Sequence, residues 1–386
     1  MEKVKRLYPL KFENGSMVLD QNTVVSNGFL ADNSIDDIIE TYLEDFLGRD
    51  VFQYYKGEFP LRVSYLESDG NMTLQAHPND FTALERYDSI GCAKVWYILE
   101  ADRDARVCLG FSRQMDASRF YEESLGGDLE KDLNFIEPHP GDCIYIEPGT
   151  VYAALGKIKY IEVAQNSRVT YHLYDLNCGS SASPSGSKEQ KDGNDYMMEI
   201  SEAIDVINYE PFDQNKHLFR NISGNITIAD TSDFIIKLVS MGKSGNSEAV
   251  KVHSVNISPE GLESFVALLC IKGRAQIKAE DGAMYEIAQG EFVLLPASLH
   301  NVEMLTDDDA LVIESYMPSL QGEDMYMNYY EDESNYPEGS GLDPEEDDKE
   351  CDCEDDEYGC KDDECGCGSG EHHHHHHHDY QRFFRK

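Results

Sequence analysis

A glutamine and a histidine two residues apart, Gln75 and His77, have the side-chain types and spacing of a metal site. Because side chains alternate along a β-strand, both point to the same face. An inward-facing amide and imidazole on a barrel strand make half of such a site. A second aromatic-aliphatic strand follows at Val95–Leu99. The remaining ligands would have to come from neighbouring strands of this kind.

Five ordered segments of the chain resemble motifs of the class I mannose-6-phosphate isomerases, which are zinc enzymes on a double cupin frame. The likeness runs through most of residues 7–315, and together the five motifs are far more specific than any one of them. The segments are Tyr8–Phe12, Leu74–Asp80, Gly91–Tyr97, Gly141–Asp142 with Pro148–Ala153, and Glu162 with Gln165–Asp175.

The resemblance also shows where this chain departs from the family. The family's metal ligands are the Gln and His of one motif, a Glu and a second His. Gln75 and His77 are kept, but Lys94 stands at the glutamate position and Tyr152 at the second histidine position. Further replacements are His172 for an arginine that assists proton transfer, Ser64 for an active-site lysine and Cys92 for another lysine. A Trp-Gly-Gly segment near the N terminus is deleted.

These departures weigh against zinc in the first barrel. A catalytic zinc usually has three protein ligands and an open position, whereas Gln75 and His77 are a weak pair. A lysine ammonium about 4 Å from a divalent ion repels it by roughly 8 kcal/mol at an effective dielectric of 20. Tyr152 as a phenolate, with His172, would be the replacement ligands. A tethered Lys94 ammonium beside Gln75, Glu162 and Tyr152 is a second hypothesis, and a lysine that snorkels to the barrel mouth is a third.

The replacements also bear on activity. The family reaction moves a proton between C1 and C2 of a phosphosugar, with metal and cations holding the developing charge. His172 and Glu162 are the residues expected to meet a bound sugar, and His172 is a candidate general base. Without the metal, the arginine and the lysine, isomerase activity is not expected. The alternative is an active isomerase that interconverts mannose 6-phosphate and fructose 6-phosphate, or another phosphosugar pair, at a site rebuilt from His77, Tyr152 and His172.

The C-terminal segment has a different composition. Residues 331–371 hold 19 acidic residues and two lysines, and a run of seven histidines follows. Such a segment is expected to be disordered. Its thiols and imidazoles suit zinc, nickel or copper, and the alternatives are a purification tag or a solvated tail without a role. The candidate ligands are Cys351, Cys353, Cys360, Cys365, Cys367, His372, His373, His374, His375, His376, His377 and His378.

Local patterns predict a mainly β protein with few helices. Residues 34–47 read as a capped amphipathic helix, 115–134 as a helical insert, and 197–207 as a further helix. Short runs of β-forming residues separated by Gly, Pro and Asn predict strands. The predicted strands of the first half are residues 62–66, 95–99, 106–109, 143–147, 160–164 and 169–174.

Composition limits the partners. The formal net charge of −42 argues against nucleic acid and anionic membranes, which are themselves polyanions. No apolar run reaches the roughly 20 residues of a membrane helix. The N terminus lacks the apolar core of a secretory signal, so the cytoplasm is the expected location.

We therefore predict two cupin barrels of the RmlC-like jelly-roll type, a helical insert and a disordered acidic tail. The expected limits are 1–178 for the first domain, 179–194 for a flexible loop, 195–320 for a helical connection and a second, structural cupin, and 321–386 for the tail. The expected function is a diverged, inactive or altered relative of mannose-6-phosphate isomerase that binds a phosphosugar or sugar-like molecule, with metal on its tail. A metal-responsive regulator is the other alternative.

Overall fold

The computed structural model describes residues 6–69, 72–176, 199–222, 224–242, 250–251 and 264–318. The predicted flexible loop and the predicted metal-binding tail lie outside these residues. The two barrels lie in one compact unit with limits Met1–Asp332. No helix in the described part is long and apolar enough to cross a membrane.

The first half of the chain contains eleven strands among its described residues. They are β1 Leu10–Lys11, β2 Val18–Leu19, β3 Leu61–Asp69, β4 Leu74–Ala76, β5 Lys94–Ala101, β6 Arg106–Phe111, β7 Leu133–Ile136, β8 Cys143–Ile146, β9 Tyr152–Leu155, β10 Lys157–Gln165 and β11 Tyr171–Tyr174. All six strands predicted in this half are present, with ends that differ by a few residues.

The second half contributes ten strands in the described part. They are β12 Leu218–Phe219, β13 Ile226–Asp230, β14 Ile235–Met241, β15 Val250–Lys251, β16 Val266–Lys272, β17 Arg274–Lys278, β18 Met284–Ala288, β19 Phe292–Leu295, β20 Glu303–Leu305 and β21 Ala310–Tyr316.

The strands form two barrels, each built from two antiparallel sheets. In the first barrel the sheet orders are β12-β8-β5-β10-β3-β2 and β11-β4-β9-β6-β7. In the second they are β1-β19-β16-β21-β14-β13 and β15-β20-β17-β18. The mainly β, two-cupin prediction is thus confirmed. Strand pairing crosses the predicted domain limits, because β1 pairs with β19 and β12 pairs with β8.

Helices occupy the ends and connections of the barrels. They are α1 Ile35–Tyr42, α2 Glu44–Leu47, α3 Arg49–Tyr54, α4 Asp80–Tyr87, α5 Ala117–Gly126, α6 at residues 199–203 and α7 Gln214–His217, with 3-10 turns at Gly28–Leu30 and Leu129–Asp132. The predicted helix 34–47 begins with a reciprocal capping box between Ser34 and Asp37. It breaks at Leu43, whose φ of 50° is left-handed. The predicted insert 115–134 divides into α5, a 3-10 turn and the start of β7.

One continuous hydrophobic core joins the two barrels. Phe59 of the first half packs on Phe265 of the second with ring centroids 4.9 Å apart. Tyr65 contacts Phe292 edge-to-face at 6.0 Å. This packing joins the two barrels, and the polar residues lie between the two sheets of the first barrel.

Candidate functional site

Two rows of polar side chains face each other between the sheets of the first barrel. On one sheet, Tyr152 of β9 lies opposite Gln75 of β4, which lies opposite His172 of β11. On the other sheet, Glu162 of β10 lies between Ser64 of β3 and Trp96 of β5. Side chains directly opposite in antiparallel strands lie on the same face, so register alone assembles both rows.

Lys94 joins the two rows from the start of β5. Its Nζ donates to the Tyr152 hydroxyl at 3.0 Å and pairs with Oε2 of Glu162 at 3.2 Å. Glu162 Oε2 also accepts from the indole N–H of Trp96 at 2.8 Å. Lys94 is 5% exposed and Tyr152 2% exposed. The lysine therefore points into the barrel and does not snorkel to its mouth.

The charge of this network is balanced within it. Burial disfavours the ammonium form of Lys94, but Glu162 and Tyr152 outweigh burial and hold its pKa well above the usual lysine value. Burial raises the pKa of Tyr152 to about 12, although Lys94 opposes the rise. Tyr152 is thus a neutral phenol. The predicted phenolate ligand does not match this arrangement.

His77, which follows β4, is held as a neutral imidazole. Its Nδ1 lies 2.7 Å from the Val169 carbonyl and its Nε2 lies 2.7 Å from the Tyr152 hydroxyl. A carbonyl only accepts, so Nδ1 carries the proton and Nε2 presents its lone pair. Burial, followed by the charge of Lys94, lowers the pKa of His77 well below its ordinary value. The lone pair that would bind a metal ion is therefore directed at Tyr152.

Gln75 and His172 complete the opening of the site. The Tyr152 hydroxyl lies 3.0 Å from Oε1 of Gln75. Tyr152 therefore lies between Gln75 and Lys94, whereas the sequence predicted that Lys94 would lie directly beside Gln75. His172 Nδ1 lies 3.1 Å from the Thr73 hydroxyl and 3.5 Å from the Gln75 amide nitrogen. Its backbone N–H donates to Glu199 at 2.6 Å.

The residues present do not fit a divalent ion. A dication between Gln75, His77 and Glu162 would meet the Lys94 ammonium, and the Tyr152 hydroxyl already occupies the imidazole lone pair. In the described part of the chain, no three His, Cys, Asp or Glu side chains are grouped to hold a metal. The tail cysteines and histidines lie outside the described residues.

Sequence reasoning missed two members of the site. Trp96 holds Glu162, and its position two residues after Lys94 on one strand was the available signal, since such residues share a face. The Val169 carbonyl sets the His77 tautomer, and no side-chain pattern marks it.

Of the further replaced positions, Ser64 is buried, and its hydroxyl lies 3.3 Å from Nε of Arg62. Burial raises the pKa of Cys92 to about 11, so it is a protonated core thiol.

The fold and the inward-facing polar rows define a double-barrel cupin protein with a polar site in its first barrel. No family model matches the chain. Among curated proteins, it is 29% identical over 157 residues to mannose-6-phosphate isomerase ManA of Bacillus subtilis, covering 40% of this chain and 47% of that protein. It is 24% identical over 295 residues to mannose-6-phosphate isomerase of Streptococcus mutans, covering 76% and 84%.

Solved structures show the same fold. The mannose 6-phosphate isomerase of Bacillus subtilis matches with a TM-score of 0.55 and 20% identity over 76% of this chain and 85% of that one. A point mutant of Salmonella typhimurium phosphomannose isomerase matches with a TM-score of 0.57 and 13% identity over 78% and 90%. The chain spans just under half the length of its first two curated relatives. In sequence and in fold, the chain is therefore similar to mannose-6-phosphate isomerases.

Proposed function

We propose that this chain is a member of the family that binds a sugar-like ligand at the first barrel without isomerising it. One observation carries the proposal. The Lys94 ammonium is bonded to both Tyr152 and Glu162, and so brings a fixed positive charge to the side chains that would otherwise surround a divalent ion. An ammonium supplies charge and hydrogen bonds but no Lewis acidity.

The rest of the site supports binding more than proton transfer. Gln75, Glu162 and His172 are partly exposed at the opening and offer an amide, a carboxylate and an imidazole to sugar hydroxyls. Lys94, Tyr152 and His77 are buried behind them and bond to one another. A ligand would thus meet a preformed polar surface on a rigid support, as binding sites require.

Restoring the two replaced ligands tests this proposal. After loading with zinc and dialysis, the double variant Lys94→Glu/Tyr152→His should retain about one zinc per chain more than the native protein, because it regains a full set of ligands. Both proteins carry the same tail, so zinc bound there cancels in the difference. The matched control, Lys272→Glu/Tyr285→His in the second barrel, should retain no more than native. In a coupled assay, the native chain should not convert mannose 6-phosphate to fructose 6-phosphate.

The opposite outcome favours the rebuilt isomerase. Conversion by the native chain, lost in Lys94→Met and Tyr152→Phe variants, would contradict the proposal and assign catalysis to this site. Binding of transition metal by the tail remains a prediction. A metal-responsive regulator would show metal-dependent hydrogen exchange within residues 60–175, and an unchanged exchange pattern would exclude it.

A further inference from the structure

A surface groove lies beside the opening of the first barrel. It encloses about 410 Å³, within the usual range of small-molecule sites. A smaller cavity of about 140 Å³ continues it towards Tyr54 and shares the walls Glu58, Asp88 and Ile90. We call the two together the Tyr87 groove.

The groove reaches the polar site through a single layer of residues. Val169 lines it, and the Val169 carbonyl holds Nδ1 of His77 at 2.7 Å. Glu199 lines it as well and accepts from the backbone N–H of His172 at 2.6 Å. The groove and the polar site therefore share Val169 and Glu199 as a common wall.

An aromatic wall gives the groove a face for sugar rings. Tyr87, at the end of α4, is 37% exposed. Its hydroxyl lies 3.0 Å from that of Tyr171 and 3.2 Å from Oε2 of Glu202, which fixes the ring. An exposed tyrosine pairs an apolar face, suited to the C–H face of a pyranose, with a polar edge for its hydroxyls.

Three charged side chains of the groove are free to bond a ligand. Within the described residues, the side chains of Glu58, Asp88 and Arg168 make no hydrogen bond or ion pair. All three are exposed, and they come from three different segments of the chain. Carboxylates accept from hydroxyl pairs and a guanidinium donates to ring oxygens, which is the hydrogen-bonding complement of a sugar.

The balance of charge selects against phosphate. The larger cavity is lined by four carboxylates, Glu58, Asp88, Glu199 and Glu202, and by one cation, Arg168, and the smaller cavity adds one further cation, Lys56. A phosphate dianion would meet net repulsion there, whereas a neutral sugar would not. We propose that the Tyr87 groove binds an unphosphorylated sugar or short oligosaccharide. This inference rests on the proposed function and names its ligand class.

Calorimetric titration of the full chain tests the groove with three probes: mannose, mannobiose and mannose 6-phosphate. The native chain should bind mannobiose more tightly than mannose 6-phosphate. Glu58→Gln and Asp88→Asn should each weaken mannobiose binding about ten-fold, because each removes a charged acceptor. The same variants should strengthen mannose 6-phosphate binding, because each lowers the repulsion. Asparagine tolerates the left-handed backbone of Asp88, so the fold is kept.

Glu85→Gln is the matched control. Glu85 is an exposed carboxylate on α4, the helix that ends at Tyr87, and it does not line the groove. It should leave all three affinities unchanged. Mannose 6-phosphate binding tighter than mannobiose, no mannobiose binding by the native chain, or an equal loss in Glu85→Gln would each overturn the inference. Zinc retention and isomerase activity, which decide the proposed function, are separate readouts from these affinities.

Discussion

Two substitutions at the centre of the site depend on each other. The buried ammonium of Lys94 needs oxygen acceptors, and the Tyr152 hydroxyl, which also lies 2.7 Å from Nε2 of His77, supplies one of them. Together they bond at 3.0 Å, and Glu162 neutralises the lysine at 3.2 Å. Buried charges persist when paired and fully hydrogen-bonded, so the pair forms a stable polar core.

Removing the lysine should therefore be costly. Lys94→Met should lower the free energy of unfolding by about 3 kcal/mol, because it leaves Glu162 without its cation. The measurement is urea unfolding followed by fluorescence of Trp96, the one tryptophan of the chain, which bonds to Glu162.

The control for that experiment is an exposed ion pair on the neighbouring strand. Lys159 pairs with Glu100 at 2.9 Å on the surface, so Lys159→Met should cost under about 1 kcal/mol. Adding Glu162→Gln to Lys94→Met should recover part of the loss. Equal costs for Lys94→Met and Lys159→Met would contradict the role of the buried pair.

His77 should make the protein sensitive to acid. Its folded pKa lies well below its ordinary value of 6.5, so below that pH the unfolded chain takes up a proton that the native state refuses. Stability should then fall by about 1.4 kcal/mol per pH unit below 6.5, until the folded pKa is reached.

His77→Asn isolates this contribution, since it removes the titrating group and leaves the others in place. Its unfolding free energy should decline less steeply than that of the native chain between pH 6.5 and 5.5. Parallel pH profiles for the native chain and His77→Asn would show that His77 is not held neutral.

At the scale of elements, the strands were predictable and their partners were not. Alternating β runs located all six first-half strands, since that signal is local. The site arises from cross-strand register, such as Gln75 opposite Tyr152, which depends on contacts far apart in sequence. Likewise, the apolar spacing of residues 34–47 showed one helix but carried no sign of the break at Leu43. The resemblance to a family, more than periodicity, brought Lys94, Glu162 and Tyr152 together.

Gly91 holds the segment after His77 in place. Its N–H donates to Asp80 at 2.7 Å, and an added Cβ would lie 2.5 Å from the backbone of Asn79. Gly91→Ala should thus cost about 2 kcal/mol of unfolding free energy by forcing backbone apart. Gly126→Ala, with nothing within 4 Å of its Cβ, should be neutral or stabilising. Thermal unfolding compares them, and a harmless Gly91→Ala would contradict the close packing.

At the scale of the whole molecule, the two barrels are interlocked. The N-terminal β1 completes a sheet of the second barrel, and β12, from the connecting segment, extends a sheet of the first. Two-residue strands of this kind have no sequence signal, which explains why sequence reasoning gave the barrels separate limits. An electrostatic contact also spans the barrels: burial, and then the charge of Asp80, raises the pKa of Asp233 to about 7.

This contact should appear in the pH dependence of stability. The native state holds a proton on Asp233 up to about pH 7, whereas an unfolded aspartate loses it near pH 4. The contribution of Asp233 to stability is therefore fully present below about pH 4, falls as the pH rises from about 4 to about 7, and is lost above pH 7, where the carboxyl is ionised. Asp233→Asn should exceed native stability by roughly 2 kcal/mol at pH 8 and by much less at pH 4.

Asp307→Asn, an exposed change in the same barrel, provides the control and should differ little from native at either pH. Chemical unfolding at the two pH values measures both variants. If Asp233→Asn raised the free energy of unfolding equally at pH 4 and pH 8, Asp233 would not be protonated in the native state, and its contact with Asp80 would not raise its pKa.

The most direct measurement of the central claim is a crystal structure of the native chain grown with zinc, with anomalous data collected at the zinc edge. We expect no anomalous peak between Gln75, His77 and Glu162, and a Lys94 nitrogen bonded to Tyr152 and Glu162. A zinc peak ligated by Nε2 of His77, with Lys94 turned out of the barrel, would contradict it.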